Sequence, residues 1–350
     1  MLGHERRAIL ITIKQIAALA NVSRGTVDSV INERGGVNKE VAERVRKIAD
    51  ELGYKPNKAA KALATIHKPI TIGLVLPASG NPFFDEVKSG FLSQAEELSD
   101  YGVTFFIKHL YGYDDEDEIN AIDELLEKNI SGLIIAPIDT KPMNDKLTEL
   151  MDKNIPVITI NSDITDGKRL CYVGQDYIKS GAAAAGIFGL ISNVSLKVGI
   201  ITGCLNMLGH NQRISGFKDA IDKNYKNIEV IDIVENSDDD RISNDVTKQL
   251  INKHSEINAI YMTAGGVCGT ASALKELGLD KKIILITYDD VPKTVKLINE
   301  GVVNATICQE PLIQGSLSLK LLFEFLVNRT KPADEKYFTK VEIKIKENLG

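Results

Sequence analysis

Residues 12–32 read TIKQIAALANVSRGTVDSVIN, and this stretch decides the fold of the N-terminal part of the chain. Thr12 is a predicted N-cap for a first helix, in which apolar residues recur at helical spacing: Ile13, Ile16, Ala17 and Ala20. Asn21 and Val22 interrupt that period, and Ser23 is a good N-cap for a second helix. The pattern predicts two short helices joined by a tight turn.

The second helix has one apolar and one polar face. Val27 and Val30 face inward, so the residues expected to project outward from its first two turns are Arg24, Gly25, Asp28 and Ser29. A third helix from Asn38 to Leu52, with Gly53 as its stop, completes a small core. Any short three-helix unit shows this pattern, so on its own it does not establish DNA binding.

The next segment, residues 54–64, reads YKPNKAAKALA. Pro56 breaks the preceding helix, and a basic helix rich in small residues follows, with Leu63 as its single bulky apolar side chain. Such a helix has no apolar face and needs a partner. Small Ala residues permit close approach to a second copy, and a leucine can insert into a minor-groove base step.

The charge distribution separates the two ends of the chain. Residues 1–68 contain 13 Lys and Arg against 7 Asp and Glu, and the remainder contains 29 against 41. A basic N-terminal part on an acidic body favours contact with nucleic acid through that part. The four Cys lack a CxxC pair, and we find no secretion signal or membrane-length apolar run. We therefore expect a cytoplasmic protein without metal, cofactor or membrane contact.

The body alternates short apolar runs with amphipathic helices. Seven runs are predicted strands: Ile70 to Leu76, Val103 to Ile107, Gly132 to Ala136, Pro156 to Ile160, Val198 to Thr202, Ala259 to Thr263 and Ile283 to Thr287. Continuous apolar strands separated by helices indicate a doubly wound parallel sheet. Ligands bind beyond the carboxyl ends of such strands.

Polar and aromatic residues follow these strands. In chain order they are Asn81, Phe83, Phe84, Asp139, Asn161, Ser162, Asp163, His210, Arg213, Gly265, Gly266, Asp289, Asp290 and Gln309. Aromatic rings cover the apolar face of a sugar, while carboxylate, guanidinium and amide groups bond to its hydroxyls. Each residue also has a purely structural interpretation: the two Phe can belong to the core, and Arg213 can pair with a surface acid.

The N-terminal part resembles the headpiece and hinge of the lactose-repressor (LacI/GalR) family, through TIKQIAALANVSRGTVDSVIN and ELGYKPNKAAKAL. The resemblance implies that the second helix enters the major groove and that Leu63 intercalates. The candidate DNA-binding residues are Thr12, Ser23, Arg24, Gly25, Thr26, Ser29, Asn32, Asn57, Ala60 and Leu63. Because Gly25 and Ser29 are smaller than is usual there, direct readout is expected to depend on Arg24.

The body resembles the ribose-binding type of periplasmic binding protein, through NPFF, IPVITINSD, GQDYIKSG, HNQRISGF, ITYDD and ATICQEP. The resemblance implies an effector held by Asn81, Phe83, Phe84, Asp139, Asn161, His210, Arg213, Gly265, Asp289 and Gln309. Asn161-Ser162 stands where ribose binders carry Asp-Arg, and Gly265 or Gly266 stands where they carry Asn. These departures favour a differently substituted or bulkier ligand than ribose.

We thus expect a small all-α helix-turn-helix headpiece on a two-lobed α/β body of the periplasmic-binding-protein type. The predicted boundaries are 12–53 for the headpiece, 54–68 for the hinge helix and linker, and 69–350 for the body. Within the body, the near lobe spans about 70–170 and 304–330, and the far lobe about 171–303 and 331–350. A half-buried strand is predicted around Ile343, and because no heptad-bearing tail follows it we expect a homodimer.

The expected function is a DNA-binding transcriptional regulator, a repressor, whose operator affinity is set by a small sugar-like effector. The sequence does not decide whether the effector releases or promotes DNA binding. A transport-linked solute-binding protein is disfavoured by the headpiece. An enzyme is disfavoured because GxGxxG, GxSxG and P-loop motifs are missing. The acidic runs 114–118 and 238–240 are interpreted as solvated helix starts.

Overall fold

The computed structural model describes residues 13–31, 36–52, 69–192 and 194–349. The chain divides into two compact units, Met1–Thr65 and Ile66–Gly350, which we call the head and the body. Among the described residues, no helix is both long and apolar enough to span a membrane.

The head contains three helices, α1 (Ile13–Ala20), α2 (Arg24–Ile31) and α3 (Lys39–Glu51). The Ser23 hydroxyl accepts the Thr26 N–H at 3.0 Å, which confirms Ser23 as the cap of α2. The apolar faces meet in one core of Ile16, Ala17, Ala20, Val27, Val30, Ala42, Val45 and Ala49. The polar face of α2 is left free of that core.

The body is built from two lobes, each with a six-stranded sheet. The near-lobe sheet has the order β11-β5-β4-β3-β1-β2, and its neighbouring strands are parallel throughout. In chain order its strands are β1 (Thr71–Leu76), β2 (Thr104–His109), β3 (Gly132–Ile135), β4 (Val157–Ile160), β5 (Cys171–Gln175) and β11 (Lys336–Thr339). Four helices cover it: α4 (Pro82–Glu97), α5 (Asp115–Glu127), α6 (Lys141–Asp152) and α12 (Pro311–Asn328).

The far-lobe sheet has the order β12-β10-β9-β8-β6-β7. Its strands are β6 (Leu196–Thr202), β7 (Ile228–Glu235), β8 (Ala259–Met262), β9 (Ile284–Tyr288), β10 (Ala305–Cys308) and β12 (Glu342–Lys344). Its helices are α7 (Tyr177–Ile191), α8 (Leu208–Asn224), α9 (Asp240–Lys253), α10 (Val267–Glu276) and α11 (Pro292–Asn299). All seven predicted strands are confirmed, with ends that differ by at most two residues.

Helix α7 packs closely on α8 because a glycine lies at the contact. A Cβ added at Gly181 would lie 2.1 Å from the main-chain oxygen of Arg213. Any side chain at Gly181 would push the two helices apart. The close approach therefore fixes the position of α8 at the point where it carries a candidate effector residue.

The chain crosses between the lobes three times, after β5, β10 and β11. The crossings are tied together by Gln175, whose Nε2 donates to the main-chain oxygens of Cys308 and Lys340, both at 2.9 Å. They lie a few residues beyond the predicted lobe boundaries, because β5 and β11 still belong to the near-lobe sheet and β10 to the far-lobe sheet. Each strand runs to its carboxyl end before the chain crosses.

The terminal strand β12 departs from the expected all-parallel arrangement. It pairs antiparallel with β10 and forms an edge of the far-lobe sheet. The chain leaves β11 at the carboxyl end of the near-lobe sheet and enters the far lobe almost at once, so it meets that sheet at its carboxyl edge and must run backwards. Ile343 is 40% exposed there.

Candidate functional site

The candidate effector site is an inner cavity of about 20 Å³ between the lobes. Its lining residues follow the strands of both sheets and are Asn81, Phe83, Phe84, Tyr113, Asn161, His210, Arg213, Asp238, Ala264, Gly265, Asp289 and Gln309. Every predicted effector residue except Asp139 lies here. A volume of this size holds about one water molecule, so a sugar ring can enter only when the two walls separate.

Arg213 on α8 lies at the centre of the far-lobe wall and is 3% exposed. Its guanidinium is stacked between two rings, 4.3 Å from the centre of Tyr177 and 3.7 Å from that of Tyr288. Nη1 donates to the main-chain oxygen of Thr263, and Nη2 donates to Gln309 Oε1 at 2.9 Å. Only Nε lacks a partner among the described residues. The planar group is thus held rigidly, and its Nε–H is without a protein acceptor.

Gln309, directly after β10, joins this arginine to the rest of the cavity. Its Oε1 also accepts from the Tyr177 hydroxyl at 2.9 Å and, at 3.5 Å, from Asn161 Nδ2. Its Nε2 donates to Asp289 Oδ1 at 2.9 Å. One amide therefore connects near-lobe, hinge and far-lobe side chains.

The Asp289 carboxyl group has an unusual proton affinity. Burial raises its pKa to about 7, although nearby Arg213 and the bond from Gln309 act in the opposite direction. Burial likewise lowers the pKa of His210 to about 4, so its imidazole is neutral near pH 7. His210 is held in place by its Nδ1, which lies 3.0 Å from the main-chain oxygen of Cys204.

The near-lobe wall is mainly apolar. Phe83 and Phe84, in the first turn of α4, pack edge to face with ring centres 5.1 Å apart and belong to the near-lobe core. The core and cavity interpretations of these two residues are therefore compatible. Asn81 caps α4, since its Oδ1 accepts the Phe83 N–H at 3.1 Å. Asn161 Nδ2 donates to the Tyr177 hydroxyl at 2.9 Å.

Three lining residues, Tyr113, Asp238 and Ala264, were missed by the sequence reasoning. The Asp238 carboxylate accepts from the Tyr113 hydroxyl at 2.6 Å and from Asn81 Nδ2 at 2.9 Å. The run 238–240 was interpreted as a solvated helix start, and Asp239 does cap α9. Asp238 is instead turned towards the cleft. Its left-handed φ of 58° is favoured by Asp and Asn, which is the only sequence signal for it.

The structure does not bring Asp139 into the cavity. Its carboxylate accepts from the Thr165 N–H at 3.0 Å and from Asn144 Nδ2 at 3.0 Å, so it stabilises a near-lobe loop. Its main-chain N–H donates across the cleft to the oxygen of Asn206 at 2.7 Å. Asp139 thus belongs to a contact between the lobes rather than to the cavity wall.

Other residues at the strand ends have structural partners. Asp163 pairs with Arg169 and accepts from the Thr159 hydroxyl, and Asp290 pairs with Lys344. Gly266 has a left-handed φ of 83° and precedes α10. In the other acidic run, 114–118, Asp114 caps α5, but Glu118 is 1% exposed. The solvated interpretation is wrong for Glu118, and burial raises its pKa to about 8.

A second, outer cavity of about 550 Å³ adjoins the inner one. Four residues line both: Asn81, Asp238, Gly265 and Asp289. These shared residues form the partition between the two spaces.

The candidate DNA-binding surface of the head is the start of α2. Arg24 and Gly25 are exposed there, and Thr26 and Ser29 are half-buried. Ser23 is exposed and also caps the helix. Five other predicted DNA-binding residues lie outside the described residues: Thr12, Asn32, Asn57, Ala60 and Leu63.

The profile of the bacterial regulatory proteins of the lacI family matches residues 12–57. The profile of the periplasmic binding protein domain matches residues 72–330. The chain is a lacI-family regulatory protein with a periplasmic binding protein domain. DNA binding by the head and effector binding by the body are the two functions of this regulator.

Several relatives resemble the lacI-family chain over most of its length. A ribose operon repressor of Haemophilus influenzae is 28% identical over 336 residues, which cover 94% of this chain and 95% of that protein. The glucose-galactose binding protein GanP of Geobacillus stearothermophilus has a TM-score of 0.74 at 24% identity and covers 81% of this chain and 99% of its own. A solute-binding protein of Burkholderia graminis in complex with D-arabinose has a TM-score of 0.72 at 25% identity and covers 81% and 97%.

Proposed function

We propose that the inner cavity binds an uncharged sugar-like effector and that this binding alters how the head holds operator DNA. The proposal is supported by the bonds that the charged groups of the cavity already make and by the signs of their charges. Arg213 uses both terminal nitrogens on protein acceptors, while Asp238 and Asp289 add carboxyl groups to the same space.

An anionic ligand fits these groups poorly. A phosphate or carboxylate needs several free donors to replace its hydration. Arg213 is the one Arg or Lys among the lining residues, it already donates to two protein acceptors, and the carboxyl groups of Asp238 and Asp289 lie in the same lining. The neutral His210 adds no positive charge. A neutral polyol both donates and accepts, so it can bond to Asp289 and to the Nε–H of Arg213 at once, with its apolar face on Phe83 and Phe84.

The relatives support the sugar class. One is a repressor of a ribose operon, and another is a binding protein in complex with D-arabinose. We infer a neutral pentose, hexose or related polyol. Asn161 and Gly265 give the cavity a different outline from the ribose-binding pattern, which favours a ligand other than ribose itself.

For the head, we propose that α2 enters the major groove and that Arg24 reads a guanine. The guanidinium suits guanine O6 and N7, and Arg24 is exposed in the first turn of α2. We further propose a cytoplasmic homodimer that acts as a repressor on a near-palindromic operator, with the predicted hinge helix around Leu63 paired on the DNA.

A thermal-shift panel on the full chain tests the effector class. D-ribose, D-arabinose, D-galactose and D-ribose 5-phosphate would be compared at equal concentration. We expect a rise in melting temperature with at least one neutral sugar and none with the phosphate, because only a ligand of the folded state stabilises it. A shift with the phosphate alone would contradict the proposal.

A DNA-binding measurement tests the role of α2. DNA selected from a random pool by the full chain would serve as probe, with fluorescence anisotropy as readout. Arg24→Ala should weaken binding about tenfold or more, since a bidentate base contact contributes about 1–3 kcal/mol. The matched control is Arg46→Ala, which removes the same charge from the exposed side of α3. Equal losses for both variants would indicate general charge attraction instead of readout.

A further inference from the structure

The contacts of Asp238 extend beyond the far lobe that carries it. Its Oδ2 accepts from two near-lobe donors, Asn81 Nδ2 and the Tyr113 hydroxyl, and its Oδ1 accepts the Gly265 N–H at 3.0 Å within its own lobe. Burial and the nearby carboxylate raise the pKa of Tyr113 well above its usual value, so the phenol keeps its proton and donates it. We propose that Asp238 is a gate residue that joins the lobes across the mouth of the inner cavity, and that the effector must displace it.

The backbone holds the gate residue in an unusual conformation. Ser237 and Asp238 both have left-handed φ values, 53° and 58°. The Asp238 N–H donates to Asn236 Oδ1 at 3.0 Å, and the buried Asn236 also donates to the main-chain oxygen of Gly265 at 2.8 Å. Two successive non-glycine residues in this region store strain, and such strain persists only where the surroundings enforce it.

The position of the gate separates the two cavities. Asn81, Asp238 and Gly265 line both the outer and the inner cavity, and the bonds of Asp238 join all three. A ligand that moves from the larger outer cavity to the inner one must pass the bond between Asn81 and Asp238. Breaking that bond also frees Nδ2 of Asn81. Oδ1 of the same side chain still accepts the Phe83 N–H at the cap of α4.

The gate therefore opposes effector binding. The inner cavity beside the closed gate is too small for a sugar ring, so a chain with the gate closed has to open before it can bind. The apparent affinity is then lower than the intrinsic affinity by the fraction of chains that are open. Asp238 thereby sets the effector concentration to which the proposed regulator responds, and this consequence rests on the proposed function. The existence of the gate does not depend on the proposed function.

Amide hydrogen exchange on the full chain, with no sugar added, tests the gate. The reporter is the Asp139 N–H, which bonds to Asn206 across the cleft and exchanges when the lobes separate. Asp238→Asn keeps the shape and tolerates the left-handed φ, but one amide oxygen must replace two carboxylate oxygens as acceptor. We expect about tenfold faster exchange of the Asp139 amide. Tyr113→Phe, which removes one donor, should give about threefold faster exchange.

The matched control is Asp240→Asn, the same substitution two residues along. Asp240 accepts the Gly269 N–H at 3.2 Å and lies 3.7 Å from Lys293 Nζ, both in the far lobe. Its variant should exchange at the wild-type rate. The gate is overturned if Asp238→Asn and Tyr113→Phe leave the Asp139 amide unchanged, or if the control accelerates it equally. Since no effector is used, this result is independent of whether the ligand is a sugar.

Discussion

The two walls of the inner cavity are built differently. On the far-lobe wall, Arg213 is buried and Asp289 is half-buried, and both are already bonded to protein partners, with Gln309 between them. On the near-lobe wall, Phe83 and Phe84 present apolar surface, and the polar side chains nearest the mouth bond to Asp238 of the opposite lobe.

Because of this difference, we expect the far-lobe wall to orient the ligand and the near-lobe donors to take part in closure of the two lobes. Groups whose geometry is fixed before a ligand arrives lose little entropy on binding, so the far-lobe wall can set which hydroxyl pattern is accepted. The near-lobe donors have to exchange one partner for another when the lobes move. Specificity should therefore be more sensitive to changes at Arg213, Asp289 and Gln309, and the open-closed equilibrium to changes in the bonds between Asp238 and its near-lobe donors.

The largest expected effect comes from Arg213→Lys on the far-lobe wall. An ammonium group cannot stack as a plane between Tyr177 and Tyr288 and also donate to Thr263 and Gln309. We expect a loss of about 3 kcal/mol in the free energy of unfolding of the body and loss of the sugar-induced thermal shift. The chain has no Trp, so circular dichroism is the suitable probe of urea unfolding.

Arg169→Lys is the matched control for that substitution. Arg169 pairs with the Asp163 carboxylate in the near lobe, with 14% and 8% of the two side chains exposed, and it does not line either cavity. Stability should fall here too, while the sugar-induced shift persists. If both variants lost the sugar-induced shift, the shift would depend on the general stability of the core and not on the cavity wall.

A pH-dependent effect of intermediate size is expected from Asp289. Its pKa rises from about 3.8 in the unfolded chain to about 7 in the fold, so its contribution to stability is fully present below pH 4 and declines as pH rises through 7. Asp289→Asn does not titrate. The free energy of unfolding of the wild type, relative to this variant, should fall by about 2 kcal/mol between pH 5 and 8.

Other groups that titrate in this range are common to both chains and cancel in the difference. Glu118 is one of them, because burial raises its pKa to about 8 in the near lobe. Parallel stability curves for the wild type and Asp289→Asn would contradict this prediction. They would show that Asp289 is charged at every pH in this range, and that the far-lobe wall carries more negative charge than a pKa of about 7 for Asp289 implies.

The sequence predicts the far-lobe wall better than the gate. Asp289 follows β9 directly and Arg213 lies beyond the end of β6, two strands that the apolar pattern locates, so the parallel topology brings them together. Gln309 follows β10, which is not among the seven predicted strands. Asp238 follows β7, whose half-buried pattern does not form a continuous apolar run. Its run of three acids is also the usual signal of a helix start. The turn that separates it from Asp239 depends on a left-handed backbone, which sequence pattern does not reveal.

Asp139 shows the opposite error. It follows β3 as the pattern requires, yet its carboxylate is used within the near lobe by Thr165 and Asn144. Position at a strand end thus predicts which loops reach the cleft, but the competition among local partners decides which side chains face the ligand. The hinge contact of Gln175 is also beyond the pattern, because it depends on where three separate crossings meet.

The smallest expected effects come from two Tyr→Phe substitutions, one in the far lobe and one in the near lobe. Tyr177→Phe removes a buried hydroxyl that accepts from Asn161 and donates to Gln309, which should cost about 1–2 kcal/mol of unfolding free energy. Tyr113→Phe removes one bond to the half-buried Asp238 and should cost under about 1 kcal/mol. Urea unfolding measures both. If Tyr113→Phe proved the more costly, the gate would be a major source of body stability, and the near-lobe wall would be as rigidly fixed as the far-lobe wall.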